Sequence, residues 1–463
     1  LMRYARIDAP GASTVEATHD LGWKTGAPTG RVKLELAMPT AAEAEGVVAA
    51  MAALPADPNT SAGKTSVDYA DFSTLRYDVY TAPLTVRAAR GDLRAIEGLA
   101  NIPSEAATRA LVGLLGNASQ GVGRAAAQGL AMRLPDPQLA GNLPKRNPFE
   151  NSMTEQRKYL ARAWVPALAD AVRAAAHQRL ASTSDDDVKD GAFMLKALGT
   201  PADGPELVKA LDVAIAQTRA VAPEANVYPP PRGATQELLR AAEMLVDRKL
   251  APPKTPKTAG ELALWLVALR GAKPAGWEAE LGRAMRHPTP YVRELAFARA
   301  PSLPASLLPL VSAGLADRDR DVVVAAAQLA AREHATSLAP QVVRAMARQN
   351  DIRLNAVSAA AYELGARYDR ARMLASMLDS AATFQAAIGE LLPILDEHGW
   401  SSNTVDMTDA DRRKFAARWS AFVAAHRDDI EAARPVATSD PSLTPDLLPP
   451  GTKLRRGDGT EWP

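Results

Sequence analysis

Apolar residues along this chain recur mostly at helical spacing, and over one stretch they keep a fixed period. Val292-x-x-x-Ala296, Val322-x-x-x-Ala326, Ile352-x-x-x-Ala356 and, more weakly, Ala382-x-x-x-Ala386 begin 30 residues apart. A fixed period of this length, carried by helical segments, marks a chain of stacked repeats. In the unit Asp321 to Asn350, Val322, Ala325, Ala326 and Leu329 fall at i, i+3, i+4 and i+7 and share one helical face. After a break at Arg332-Glu333-His334, Pro340 stands where a first helical turn tolerates it, and Val342, Val343 and Met346 form a second apolar stripe. The polar run Ala347 to Asp351 closes the unit, as Ala316 to Arg320 closes the one before. One such helix pair has too little apolar surface to fold alone, so its neighbours supply the core.

Elsewhere the pattern changes. Arg31 to Ala37 and Leu75 to Val79 alternate polar and apolar and predict half-buried strands. Between them Thr40-x-x-Glu43 is a capping box opening a helix from Ala41 to Leu54. Residues 1–88 thus read as a strand-helix-strand unit or a small antiparallel sheet with one helix. From about residue 89 helices take over, with the signature spacing at Val122 and Ala126 and again at Val188 and Ala192, where Leu207, Val208 and Leu211 mark the second helix. Thr154 to Leu180, containing Trp164, predicts one longer helical stretch. A Pro-rich insertion at 135–150 and the segments Ala222 to Arg232 and Ala251 to Lys257 predict extended connections. Beyond His398-Gly399-Trp400 the repeat stops. Thr408 and Asp411 cap a last helix with Phe415, Trp419, Phe422 and His426 on one side, and a Pro-rich tail follows from Arg434. The expected domains are 1–88, 89–400 and 401–463.

Composition narrows the use of such an array. Aromatic residues make up only 5% and Ala takes their place, which suits close helix packing. Lys and Arg number 54 against 53 Asp and Glu, a net charge of +1, so no broad field draws in nucleic acid or an anionic membrane. The absence of cysteine excludes disulfides, thiolate catalysis and cysteine-based zinc sites. No apolar run approaches about 18 residues, so no membrane insertion is expected. No apolar signal core follows the first residues, which favours the cytoplasm, with Leu1 in place of Met leaving open what precedes it.

Sites with a chemical look have plainer readings. Gly63-Lys64-Thr65 resembles the end of a phosphate-binding loop, but Pro58 stands where that loop needs Gly. His426-Arg427-Asp428-Asp429 echoes a kinase catalytic loop without the companion kinase motifs. Asp396-Glu397-His398 is the nearest approach to a metal cluster and sits at a helix end, where such residues are ordinary. The acids Asp185 to Asp187 and Asp317, Asp319 and Asp321 precede helices, whose dipoles and free N–H groups they complement. No catalytic, cofactor or metal residue is therefore assigned.

The Val-x-x-x-Ala pairs, the Asp-rich turns before them and a second helix with Pro near its start resemble the HEAT-repeat family, including its short bacterial forms. The resemblance implies a mainly α fold: a right-handed α-solenoid with a small α+β N-terminal cap and a C-terminal helix plus tail. It implies a non-catalytic scaffold that binds a protein or peptide along the groove of the second helices. Trp265, Trp277, Lys209, Arg344 and Arg348 are the expected contact residues. The alternatives are a nucleic-acid-binding or DNA-repair solenoid, which needs Lys209, Arg344 and Arg348 on one face, and a lyase-type HEAT protein handling a small molecule or chromophore.

Overall fold

The computed structural model describes residues 11–18, 29–54, 72–117, 119–135, 157–218, 233–269, 273–349, 352–394 and 407–436. The described residues are mainly helical, and the chain divides into two compact units, Leu1–Gln178 and Arg179–Pro463. The Gly63 to Thr65 segment, residues 136–150, the run from 222 to 232, the Asp396 to His398 cluster and the tail beyond Val436 lie outside the described residues.

The first unit opens with a two-stranded antiparallel sheet, β1 (Gly11–Thr18) and β2 (Thr29–Leu36), in which Val15 stands opposite Val32 and Ser13 opposite Leu34. The strand expected at Arg31 is β2, but it is not half-buried: Val32 and Leu34 are exposed, since among the described residues nothing but β1 pairs with it. Its partner β1, rich in small and polar residues, gave no alternation to read. Helix α1 (Ala41–Ala52) starts on the predicted capping box, with Thr40 and Glu43 each accepting from the other's backbone N–H.

The strand expected at Leu75 to Val79 is not there. Two 3-10 turns, Phe72–Thr74 and Asp78–Tyr80, take its place. The deciding spacing is Phe72 to Leu75, three residues and both buried, which one face of a tight turn satisfies and a strand does not. Helices α2 (Thr81–Ala89), α3 (Leu93–Asn101), α4 (Glu105–Leu114) and α5 (Gln120–Ala131) follow, so helical structure begins before residue 89, with Pro83 tolerated in the first turn of α2. Val122 and Ala126 are fully buried on α5. The single stretch expected from Thr154 to Leu180 is broken at Trp164: Val165 precedes Pro166, which drives it to extended backbone, and α6 (Ala169–Leu180) begins only after a 3-10 turn.

The second unit continues with α7 (Asp185–Leu198), α8 (Gly204–Gln217), α9 (Ala234–Asp247), α10 (Ala259–Ala268), α11 (Trp277–Met285), α12 (Pro290–Arg299), α13 (Leu308–Leu315), α14 (Arg320–Arg332), α15 (Ala339–Met346), α16 (Ile352–Glu363), α17 (Arg367–Met377) and α18 (Phe384–Leu391). These helices pack in two rows. Helices α8, α10, α12, α14, α16 and α18 each touch the next of that series, as do α11, α13, α15 and α17. Across the rows α11 packs on α12, α13 on α14, α15 on α16 and α17 on α18. The hairpins therefore close across the Asp-rich turns, half a unit out of phase with the frame Asp321 to Asn350. The expected pairing of α7 as first and α8 as second helix shifts too, because α8 shares its row with the helices of Val292 and Val322.

Val292, Ala296, Val322 and Ala326 are all fully buried. The period then lengthens. Helix starts at Pro290, Arg320, Ile352 and Phe384 give steps of 30, 32 and 32. In α16 the buried face includes Leu354, Val357, Ser358 and Ala361, and the pair Leu354 and Ser358 lies two residues past the expected signature. Ala382 lies exposed in the turn before α18, whose core residues are Phe384, Ala387, Ile388 and Leu391.

Arginines tie three helices to the helix next but one before them. Arg133, just after α5 and 0% exposed, donates to the Leu99, Ala100 and Ile102 carbonyls at the end of α3, and to Ser104 O and Thr108 Oγ1. Arg248, just after α9, does the same for Lys196, Ala197 and Gly199 at the end of α7. Arg332, closing α14, reaches Ala298 and Ala300 at the end of α12. Each adds charged donors to carbonyls at a helix C-terminus, where the intrahelical bonds run out. At the opposite helix ends Asp319 caps α14, Asp317 pairs with Arg293 at 2.8 Å, and buried Asp321 pairs with buried Arg353 of α16 at 2.8 Å.

Helix α14 ends in a Schellman motif, with Ala335 N–H bonded to Ala330 O and His334 at φ 50°. That left-handed position suits glycine, and the equivalent site after α16 is Gly365 at φ 82°. His334→Gly is expected to raise stability by about 1 kcal/mol, read as a higher urea midpoint with an unchanged slope.

Helices α19 (Asp409–Ala425) and α20 (Arg427–Glu431) pack on α17. The aromatic stripe lies as expected: Phe415 and Trp419 are buried, and Phe415 meets Phe384 with ring centroids 5.7 Å apart. His426 ends α19 against Phe422, so the kinase-like fragment is a helix junction.

Candidate functional site

The second unit holds a cavity of about 360 Å³ among the ends of α16, α17, α18 and α20. Gly365 reverses the chain sharply after α16, which brings Arg367, the first residue of α17, back over Tyr362. Its guanidinium lies 5.1 Å from the Tyr362 ring centre, and that of Arg370 lies 5.6 Å away. Tyr362 remains 43% exposed, so the ring keeps a face for another molecule. Arg370 is locked: its Nε donates to Ser358 Oγ at 2.7 Å and its Nη2 to Glu390 at 2.6 Å. Arg434 enters from the far side and pairs with Asp429 at 2.8 Å.

The wall beyond is held by α20. The Tyr368 N–H donates to Glu431 Oε2 at 3.1 Å, and Arg367 Nη1 donates to the Glu431 carbonyl at 3.1 Å. Arg427 lies over the Tyr368 ring at 4.7 Å. After α20 the Val436 N–H bonds to Ile394 O, which fixes Arg434 and Pro435 at the rim. Pro393, Ile394 and Ile430 supply apolar lining. Such a site has the chemistry to hold an anion and an apolar stem. Among the described residues no three His, Asp or Glu side chains are grouped to hold a metal ion, and no helix is long and apolar enough to cross a membrane.

None of the residues singled out in the sequence lines this cavity. Trp265 is 4% exposed inside α10 and fills the core. Trp277, half-buried, begins α11 with the Lys273 ammonium 5.2 Å above its ring. Lys209 is exposed on α8, while Arg344 and Arg348 are exposed on and just after α15, in the other row. Arg348 donates to the Asp317 carbonyl. Tyr362, Arg367 and Arg434 went unread in the sequence. The one local signal was Gly365 between an aromatic residue and an arginine; Arg434 is brought in by tertiary packing alone.

A half-buried histidine nearby in sequence makes stability sensitive to acid. The Thr289 N–H donates to His287 Nδ1 at 3.1 Å, and burial, with Arg283 and Arg293 close by, holds the imidazole below its ordinary pKa. The unfolded chain then takes up the proton first, so the contribution of His287 is complete above about pH 6.5 and is lost as pH falls from there toward the folded value. His287→Asn keeps an acceptor for Thr289 and does not titrate. Thermal melts between neutral and mildly acidic pH should show the wild type losing more stability than this variant.

No family model matches the chain, and no curated protein matches it either.

Proposed function

We propose that this chain is a HEAT-like α-solenoid protein that acts as a non-catalytic scaffold, binding a protein or peptide along the helices of its rows. In this reading the helices wind right-handedly, the hairpin with α1 is a small α+β N-terminal cap, and α19 with α20 closes the last repeat. The observation that carries it is the row packing between α8 and α18, where the helices of the two series each lean on the next of their own row. Stacking of this kind offers an extended one-sided surface in place of one enclosed pocket. Affinity capture from native lysate with chemical cross-linking tests it. A specifically retained protein should cross-link to exposed residues on consecutive hairpins of one row. Retention of no protein above the control, or cross-links confined to chain ends, refutes it.

A further inference from the structure

We infer that the cavity at Tyr362, Arg367 and Arg434 anchors a peptide partner by a carboxylate. The inference rests on the scaffold reading and adds where the partner is held and by which chemistry. Three guanidinium groups line the cavity, and they are not equally matched. Arg370 is neutralised by Glu390 and Arg434 by Asp429. Arg367 has no carboxylate within ion-pair distance among the described residues. Its Nη1 donates to a backbone carbonyl, and its Nε is shut from solvent with no partner at all.

With Nη1 engaged and Nε closed off, Nη2 is the Arg367 nitrogen left for a ligand, and the charge has no carboxylate partner. The Tyr362 ring and the Glu431 carbonyl hold it in place before any ligand arrives. A carboxylate oxygen can accept from Nη2 and supply the missing counter-charge. Pro393 and Ile430 offer apolar contact to the stem that bears it. The volume, about 360 Å³, is at the small end for ligand sites, enough for one side chain and its neighbours. Glu363 and Glu390 line the same cavity, and Asp429 and Glu431 stand beside it, so one unmatched guanidinium suits a single carboxylate better than a multiply charged phosphate chain.

The test offers the immobilised full chain short random peptides with blocked termini, in an acidic pool and in a pool with Asn and Gln in place of Asp and Glu. The acidic pool should be retained about tenfold better, the worth of one charge-assisted hydrogen bond. Arg367→Gln should abolish that preference, while Arg372→Gln, on the exposed side of α17, should keep it. Tyr362→Leu removes the supporting ring without changing charge and should weaken the preference even if Arg367→Gln disturbs folding. Equal retention of the pools, including none, overturns the proposal. So does an acidic preference that survives Arg367→Gln, or tighter retention of a single-stranded oligonucleotide than of the acidic pool. A preference surviving Arg367→Gln leaves the scaffold reading standing, whereas failed lysate capture removes that reading instead.

Discussion

Ala326→Asp should destabilise the second unit by about 4 kcal/mol or more, because it puts a carboxylate where neither water nor a cation can follow. Ala326 is 0% exposed at the contact between α13 and α14. Gly314 of α13 lies so close that a Cβ built there would stand 3.0 Å from the Ala326 methyl and 2.5 Å from the Phe297 ring. A longer side chain at residue 326 has no cavity to enter, so strain adds to the cost of burying charge. Ala313→Asp, on the exposed side of α13, is the control and should change stability by no more than about 0.5 kcal/mol. Urea titration of both variants decides the matter. A wild-type midpoint for Ala326→Asp would mean that the packing between α13 and α14 is wrongly described.

The second large effect is expected in the first unit. Arg133→Met keeps most of the side-chain volume but removes every donor that serves the end of α3. The Leu99 and Ile102 carbonyls, at 2.6 and 2.5 Å from Nη2, would lose their charged donor and keep only the N–H bonds of Ile102 and Ser104. A buried hydrogen bond from a charged donor contributes about 1.5–3 kcal/mol, and two short ones are lost, so a loss of about 4 kcal/mol is expected. Burial pulls the guanidinium down to about 10, which still leaves it charged at neutral pH. Arg133→Lys keeps the charge with fewer donors in the wrong geometry and should recover only part of the loss. Thermal melts that rank the wild type, Lys and Met variants in that order support the assignment. A Met variant as stable as the wild type would show that these bonds contribute nothing net.

What the sequence disclosed follows from how local each signal is. Val322, Ala326, Val342 and Met346 were legible because one face of one helix decides their burial. Thr40 and Thr408 were legible as caps for the same reason, since each bonds a backbone N–H three residues on. The drift of the period from 30 to 32 was hidden, because the sequence repeats its Val-x-x-x-Ala-like spacing at Ile352 and Ala356 while Leu354 and Ser358 stand at the equivalent buried positions. Leu75 to Val79 misled by alternating over a span too short to separate a strand from two tight turns. The cavity was the least legible part. Tyr362 and Arg434 are brought together by the packing of α20 against α17, and no spacing along the chain encodes that approach.

The arginine clasps also give the chain a direction. Each reaches backward, from Arg133 to Leu99 across 34 residues, from Arg248 to Gly199 across 49, and from Arg332 to Ala300 across 32. A ribosome delivers the earlier helix first, with its terminal carbonyls bare, and the donor that completes it emerges several turns of synthesis later. Every such helix is therefore provisional until its successor is made, and a chain halted between the two carries a frayed end that only further translation can mend.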